Sequence, residues 1–243
     1  MKTYQPRPRE MAQEQIAAYI LEHKLKAYDL LPTEREMCEM WGFNRCTLRS
    51  AIKRLVAEGQ LSTKQGSGIW VSPRFSRFVQ GLQGFSEHAG KYGYKIETRL
   101  LSFSEVECDA SLAKRFERVL GEKIYRISRL RLLDDTPMMI EHSFIPCAFA
   151  PNLEEHDLIH NSLFSILREV YNLELDHGHE NASITSATED EAAILNIKEG
   201  DPVFWLVSNT ENQNNQLVEY CRAIGRADML ELISTIHWTG GEE

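Results

Sequence analysis

These 243 residues contain no run of eighteen apolar side chains and no basic-then-apolar leader. That removes membrane spans and a secretory signal from the reading, and a cytoplasmic location is expected. Cysteine is sparse: Cys38, Cys46, Cys108, Cys147 and Cys221 are odd in number and scattered, with no CxxC pair and no Cys/His cluster at zinc spacing. They read as reduced structural thiols, and no metal centre is expected. Internal repeats, low-complexity tracts and a legible nucleophile–base pair are also missing. Gly66-Ser67-Gly68 lacks the strand-to-helix context and the Lys-Ser/Thr of a phosphate loop, so no nucleotide cofactor is expected. The length fits one large domain or two of ordinary size.

The formal net charge of −9 taken alone argues against a nucleic-acid partner. Its distribution reverses that argument: residues 1–72 hold eleven Lys+Arg against eight Asp+Glu, whereas 73–243 hold sixteen against twenty-eight. The two parts have different electrostatic roles.

Residues 9–24 read as an amphipathic helix with Ile16, Ala17, Ile20 and Leu21 as its apolar stripe. Leu30-Leu31-Pro32 breaks the chain, and Thr33-Glu34-Arg35-Glu36 has the form of a capping box opening a short helix to about Trp41. Gly42 punctuates. Asn44 is the expected N-cap of a third helix that stops at Gly59 as its C′ residue. That helix would bury Leu48, Ile52 and Leu55 and turn Arg45, Thr47, Arg49 and Lys53 elsewhere. Residues 61–71 are two strand-like runs around Gln65-Gly66-Ser67-Gly68, a hairpin. Three helices and a hairpin describe a winged helix-turn-helix, whose third helix enters a major groove. A solvated basic face is the commoner fate of such residues. The glycines beside Lys64 and Gln65 favour nucleic acid, because they permit close backbone approach.

From residue 73 the chain reads as a linker with an apolar thread to about residue 90, followed by a second domain over 91–243. Strands are expected at 95–102, 122–133, 138–145, 175–187, 202–211, 217–226 and 230–238, the last closing the sheet. Helices are expected at 104–120 (box Ser104/Glu107), 161–172 and 188–197 (box Thr188/Glu191). Hairpins with helices between them imply an α+β domain built on an antiparallel sheet.

The stretch LPTEREMCEMWGFNRCTLRSAIKRLVAEGQLSTKQGSGIWV resembles the GntR family of bacterial transcription regulators through its L-P-x-E-R-E opening, N-R-x-T-x-R helix and Q-G-x-G wing. RLRLLDDTPMMIEHSFIP, NSLFSIL, TEDEAAILNIKEGDPVF and VEYCRAIGRADM resemble the UTRA effector-binding domain, chorismate-lyase-like in fold, of its HutC-type branch. The resemblance implies a homodimeric repressor on a palindromic operator, controlled by a small anionic metabolite.

It also implies that Arg35, Arg45, Arg49 and Gly66 contact DNA, with Asn44 and Thr47 as nearby candidates; Gln65 and Gly68 of the wing are expected at the same surface, and Lys53 and Lys64 are assigned only general phosphate attraction. Arginine grips guanine or clamps phosphate, whereas Asn44 and Thr47 are short and can reach backbone phosphates. In the second domain it implies that Arg129 and Arg131 bind the anionic group, Glu141 and Glu219 ligand hydroxyls or amines, and Ser162 a phosphate. The strand period agrees for the arginines, since residues two apart share a face. Pairing with the domain's own carboxylates on a solvated face is the alternative. Phe164 stands where a tyrosine hydroxyl often helps hold a sugar, and Arg226-Ala227-Asp228 replaces an R-G-D motif. GRADMLEL resembles regulators of phosphonate uptake. The effector is left as a phosphorylated sugar, a phosphonate or a small carboxylate. A chorismate-lyase-like enzyme fused to a DNA-binding module is the rival reading.

Overall fold

In a computed structural model the described residues are 7–64, 68–78, 85–92 and 94–234. They fall into two compact units, Met1–Arg74 with Ala227–Met229, and Phe75–Arg226 with Leu230–Glu243.

In the first unit, α1 (Pro8–Glu22), α2 (Glu34–Trp41) and α3 (Arg45–Ala57) precede an antiparallel hairpin of β1 (Leu61–Lys64) and β2 (Gly68–Val71). Both expected caps form. The Thr33 hydroxyl accepts from Glu36 N–H while the Glu36 carboxylate accepts from Thr33 N–H, and Asn44 Oδ1 accepts from Thr47 N–H at 2.8 Å. Leu48, Ala51, Ile52 and Leu55 of α3 close over Met37, Ile16 and Ala12. The α1 stripe therefore runs through Ala12, Ile16 and Ile20 at a four-residue repeat, and Leu21, expected in it, is 77% exposed. An isolated bridge from Leu30 to Trp70 adds a third edge to the hairpin. Gly68 has φ +99, a conformation that L side chains rarely adopt, and a Cβ there would stand 3.1 Å from Leu30 Cδ2. Gln65 and Gly66 lie outside the described residues.

The second unit is built on a six-stranded antiparallel sheet in the order β4-β5-β6-β9-β8-β7. Its strands are β4 (Ile96–Glu107), β5 (Lys123–Leu133), β6 (Thr136–Pro146), β7 (Leu175–Ser186), β8 (Pro202–Asn212) and β9 (Leu217–Arg226). Asp134 and Asp135 take φ 47 and 64, the left-handed pair of a two-residue hairpin turn between β5 and β6. One sheet face carries α5 (Ala110–Phe116) against Ile124 and Phe144, and α7 (Glu189–Leu195) against Leu130, Leu132, Ile140 and Ile224. On the other face α6 (Leu163–Glu169) packs on Tyr125, Ile127 and Ile145. Arg129 and Arg131, on the same face as Tyr125 and Ile127, are buried.

Two expectations are corrected. The helix over 104–120 is instead the end of β4, paired as far as Glu107↔Lys123, and then the short α5 capped by Asp109. Pairing along β5 satisfies a whole row of backbone groups, which outweighs the local box at Ser104; Glu107 accepts from Lys123 rather than capping. The C-terminal strand does not close the sheet: β10 (Leu230–Ile233) pairs in parallel with β3 (Phe75–Phe78) inside the stretch read as linker. Within the rest of that stretch lies α4 (Phe85–Tyr92).

Candidate nucleic-acid interface and ligand site

On α3, Arg45, Arg49 and Lys53 recur every four residues, are all exposed, and lie off the buried stripe. Thr47 is half-buried and gives its N–H to Asn44, so the Asn44 side-chain oxygen is spent on the cap. Arg49 Nε is 3.6 Å from Glu34 Oε1, and Arg35 Nε is 3.6 Å from Glu39 Oε1. Exposed pairs of this kind contribute about 0–1 kcal/mol, so both guanidiniums can exchange a carboxylate for a phosphate or a base edge at small cost. Lys64 closes β1 opposite Gly68.

In the second unit the alternation of β5 puts Arg129 and Arg131 on one face. The register sets Arg129 beside Glu141, which pairs onward with Ala223; one row along, Ser143 pairs with Cys221. Arg131 is saturated. Its Nε donates to Glu141 Oε2 at 2.8 Å and its Nη1 to Thr98 Oγ1 at 2.6 Å, with Ser86 Oγ at 3.4 Å, and its guanidinium lies 4.9 Å from the Phe85 ring centroid. Arg129 is not saturated. Its Nη2 reaches Glu141 Oε2 at 3.2 Å, but its Nε and Nη1, both buried, have no partner among the described residues. A buried donor without an acceptor is costly, and two on one guanidinium mark a place for an anion.

Electrostatics sharpen the asymmetry. Burial pushes Arg131 down to about 10, with Arg129 acting the same way and Glu141 opposing, so it stays cationic at neutral pH. Burial alone would raise Glu141, yet Arg131 and then Arg129 hold its carboxyl below the usual range. Glu219 is raised by burial, against the pull of the Ser143 hydroxyl and Arg129. A carboxyl that holds its proton more tightly when folded destabilises the fold increasingly as pH rises above its ordinary value, up to its folded pKa. Glu219→Gln is therefore expected to raise the melting temperature relative to the parent at neutral pH and to lose that advantage at about pH 4. A pH-independent difference would contradict the assignment. Glu141 has the opposite sign, its contribution being lost as pH falls.

These residues enclose a cavity of about 340 Å³, within the range of small-molecule sites. All six residues expected at the effector site, Arg129, Arg131, Glu141, Ser162, Phe164 and Glu219, line it. Ser162 is partly committed: its hydroxyl accepts from Ser165 N–H and donates to Glu87 Oε1 at 3.3 Å, and Glu87 also pairs with Arg168. Residues that sequence reasoning missed are Arg77, Thr98, Ser143, His177 and Glu180, which come from distant segments with no local motif. No group of three or more His, Cys, Asp or Glu among the described residues is placed to hold a metal, and no helix among them is long and apolar enough to cross a membrane.

Comparison with known proteins agrees with this division. Residues 8–71 match the family described as bacterial regulatory proteins, gntR family, and residues 91–231 match the UTRA domain. The HTH-type transcriptional repressor NagR of Bacillus subtilis is 32% identical over 88% of both chains. The mannosyl-D-glycerate transport/metabolism system repressor MngR of Escherichia coli is 26% identical over 90% of this chain and 91% of its own. The crystal structure of PhnF from Mycobacterium smegmatis superposes with a TM-score of 0.68 at 20% identity, covering 94% of this chain and all of that one, and so shares the fold. The chain thus belongs to the GntR family of bacterial regulatory proteins, in the HutC-type branch that couples the DNA-binding module to a UTRA domain.

Proposed function

We propose that this protein is a homodimeric transcription repressor that binds a palindromic operator through Arg35, Arg45 and Arg49 and releases it when a small anionic metabolite occupies the cavity beside Arg129. One recognition helix reads only a few base pairs, so a two-fold dimer reading two half-sites supplies the remaining specificity. Supporting the repressor role, NagR and MngR both carry that description. The single observation that carries the ligand reading is the pair of donors on buried Arg129 that have no partner among the described residues. The carboxylates and hydroxyls farther along the same wall suit a polyol, and MngR is named for a sugar-linked acid. We therefore favour a sugar-derived phosphate or carboxylate, with a phosphonate as the third class.

The test is thermal stability of the full chain against sugar phosphates, alkylphosphonates, inorganic phosphate and small carboxylates. A compound that binds the native state raises the melting temperature by mass action. The expected result is a rise confined to one class and lost in Arg129→Ala. No rise with any compound, or a rise undiminished in that variant, would overturn the ligand reading.

A further inference from the structure

Two arginines of the cavity are accounted for, and only one of them has free donors. A dianionic group presents three oxygens and a second charge, and Arg131 cannot serve them, because Glu141, Thr98 and Ser86 already occupy its guanidinium. One further arginine lines the cavity, Arg77 of β3. Its Nη2 is held at 2.5 Å by Glu180 Oε2, and Glu180, on the edge strand β7, lines the cavity too. The pair is less buried than Arg131 and Glu141, with side-chain exposures of 27% and 14% against 4% and 8%. Water can therefore take over either partner when the other leaves, which the buried pair does not allow. The Arg77 charge is already felt at both Glu141 and Glu219, which places it within electrostatic reach of the anion site.

Resting on the anion site proposed above, we infer that Arg77 is a second anion-binding arginine, held in reserve by Glu180 and transferred to a dianionic ligand when it enters. It is a specificity residue: Arg129 alone suffices for a monoanion, and Arg77 adds the preference for a doubly charged group. The strand that carries it is also strongly anchored. Phe75 stacks on Phe85 at 4.5 Å, Ser76 O accepts from His88 Nε2 at 2.6 Å, and the Ser76 hydroxyl donates to Glu231 at 3.0 Å. The exchange therefore requires only the Arg77 side chain to move.

The experiment is calorimetric titration of the full-length protein with inorganic phosphate and, separately, with acetate, at constant ionic strength. The proteins are the parent, Glu180→Gln, Arg77→Gln, Arg77→Lys and Arg129→Ala. Glu180→Gln is expected to tighten phosphate binding by about fivefold, the equivalent of one exposed ion pair. Arg77→Gln should weaken it by a similar factor and Arg77→Lys by less, with acetate affinity unchanged in all three. Unchanged phosphate affinity in the Glu180 and Arg77 variants, with binding still lost in Arg129→Ala, overturns this inference and leaves the anion site standing. Absence of anion binding in the parent, or its survival in Arg129→Ala, overturns both. Both side chains keep partial access to water, which serves whichever partner remains, so the variants are expected to fold.

Discussion

Glu141→Ala is expected to lower the unfolding free energy by about 3–5 kcal/mol, the cost of removing one partner from a buried ion pair. Glu141 is the shared counter-charge of two arginines, both of which reach its Oε2. Its loss leaves two like charges side by side, and their repulsion already depresses Arg131. For a chain of this size the melting temperature should fall by roughly 10 °C. The cavity supplies a second arm to the prediction. An anion bound at Arg129 restores the missing negative charge, so inorganic phosphate should stabilise Glu141→Ala more than it stabilises the parent. Arg131→Ala removes the saturated guanidinium instead, and should be destabilised without that selective rescue. Thermal unfolding of the three proteins in chloride and in phosphate at matched ionic strength reads this directly. Equal stabilisation of all three would show that the cluster is not an anion site.

Arg49→Ala is expected to weaken binding to a specific duplex by about 1–3 kcal/mol per contacted half-site, about 5- to 150-fold, while leaving the melting temperature unchanged. The side chain is 64% exposed and its contact to Glu34 is 3.6 Å long, so little of the fold rests on it. Lys53→Ala is the companion variant. It should weaken specific and random duplexes alike and flatten the salt dependence, because a lysine there attracts phosphate without reading bases. Binding measured by fluorescence anisotropy over a salt series separates the two outcomes. Full affinity for the specific duplex in Arg49→Ala would remove α3 from the interface.

How much of this was legible beforehand follows from the range of the interactions involved. The first unit is written in local signals: an apolar repeat of three and four in α3, a reciprocal box at Thr33 and Glu36, and a cap at Asn44 each act within one helical turn. Such signals need no knowledge of the rest of the chain. The arginine pair on β5 was legible for the same reason, since a period of two places both on one face wherever the strand lies. What the arginines touch was not. Glu141, Thr98 and Ser86 arrive from β6, β4 and α4, and only the register brings them within bonding distance. Arg77 is the extreme case, because its partner Glu180 is 103 positions away. The false helix at Ser104 shows the converse, a sound local signal overruled by a neighbouring strand. Leu21 failed differently, because a stripe read one position too far round α1 exchanges a solvent-facing residue for a buried one.

The measurement that bears most directly on the central claim couples the two units. A duplex selected by the protein from a random pool would be titrated with the full-length chain, with and without a saturating concentration of the anion identified by thermal stability, in the parent and in Arg129→Ala. Allosteric coupling of ordinary size, about 1–3 kcal/mol, predicts that the anion weakens duplex binding by about 5- to 150-fold in the parent and leaves Arg129→Ala unmoved. An anion that saturates the cavity without changing duplex affinity, or that acts equally on Arg129→Ala, would contradict the account.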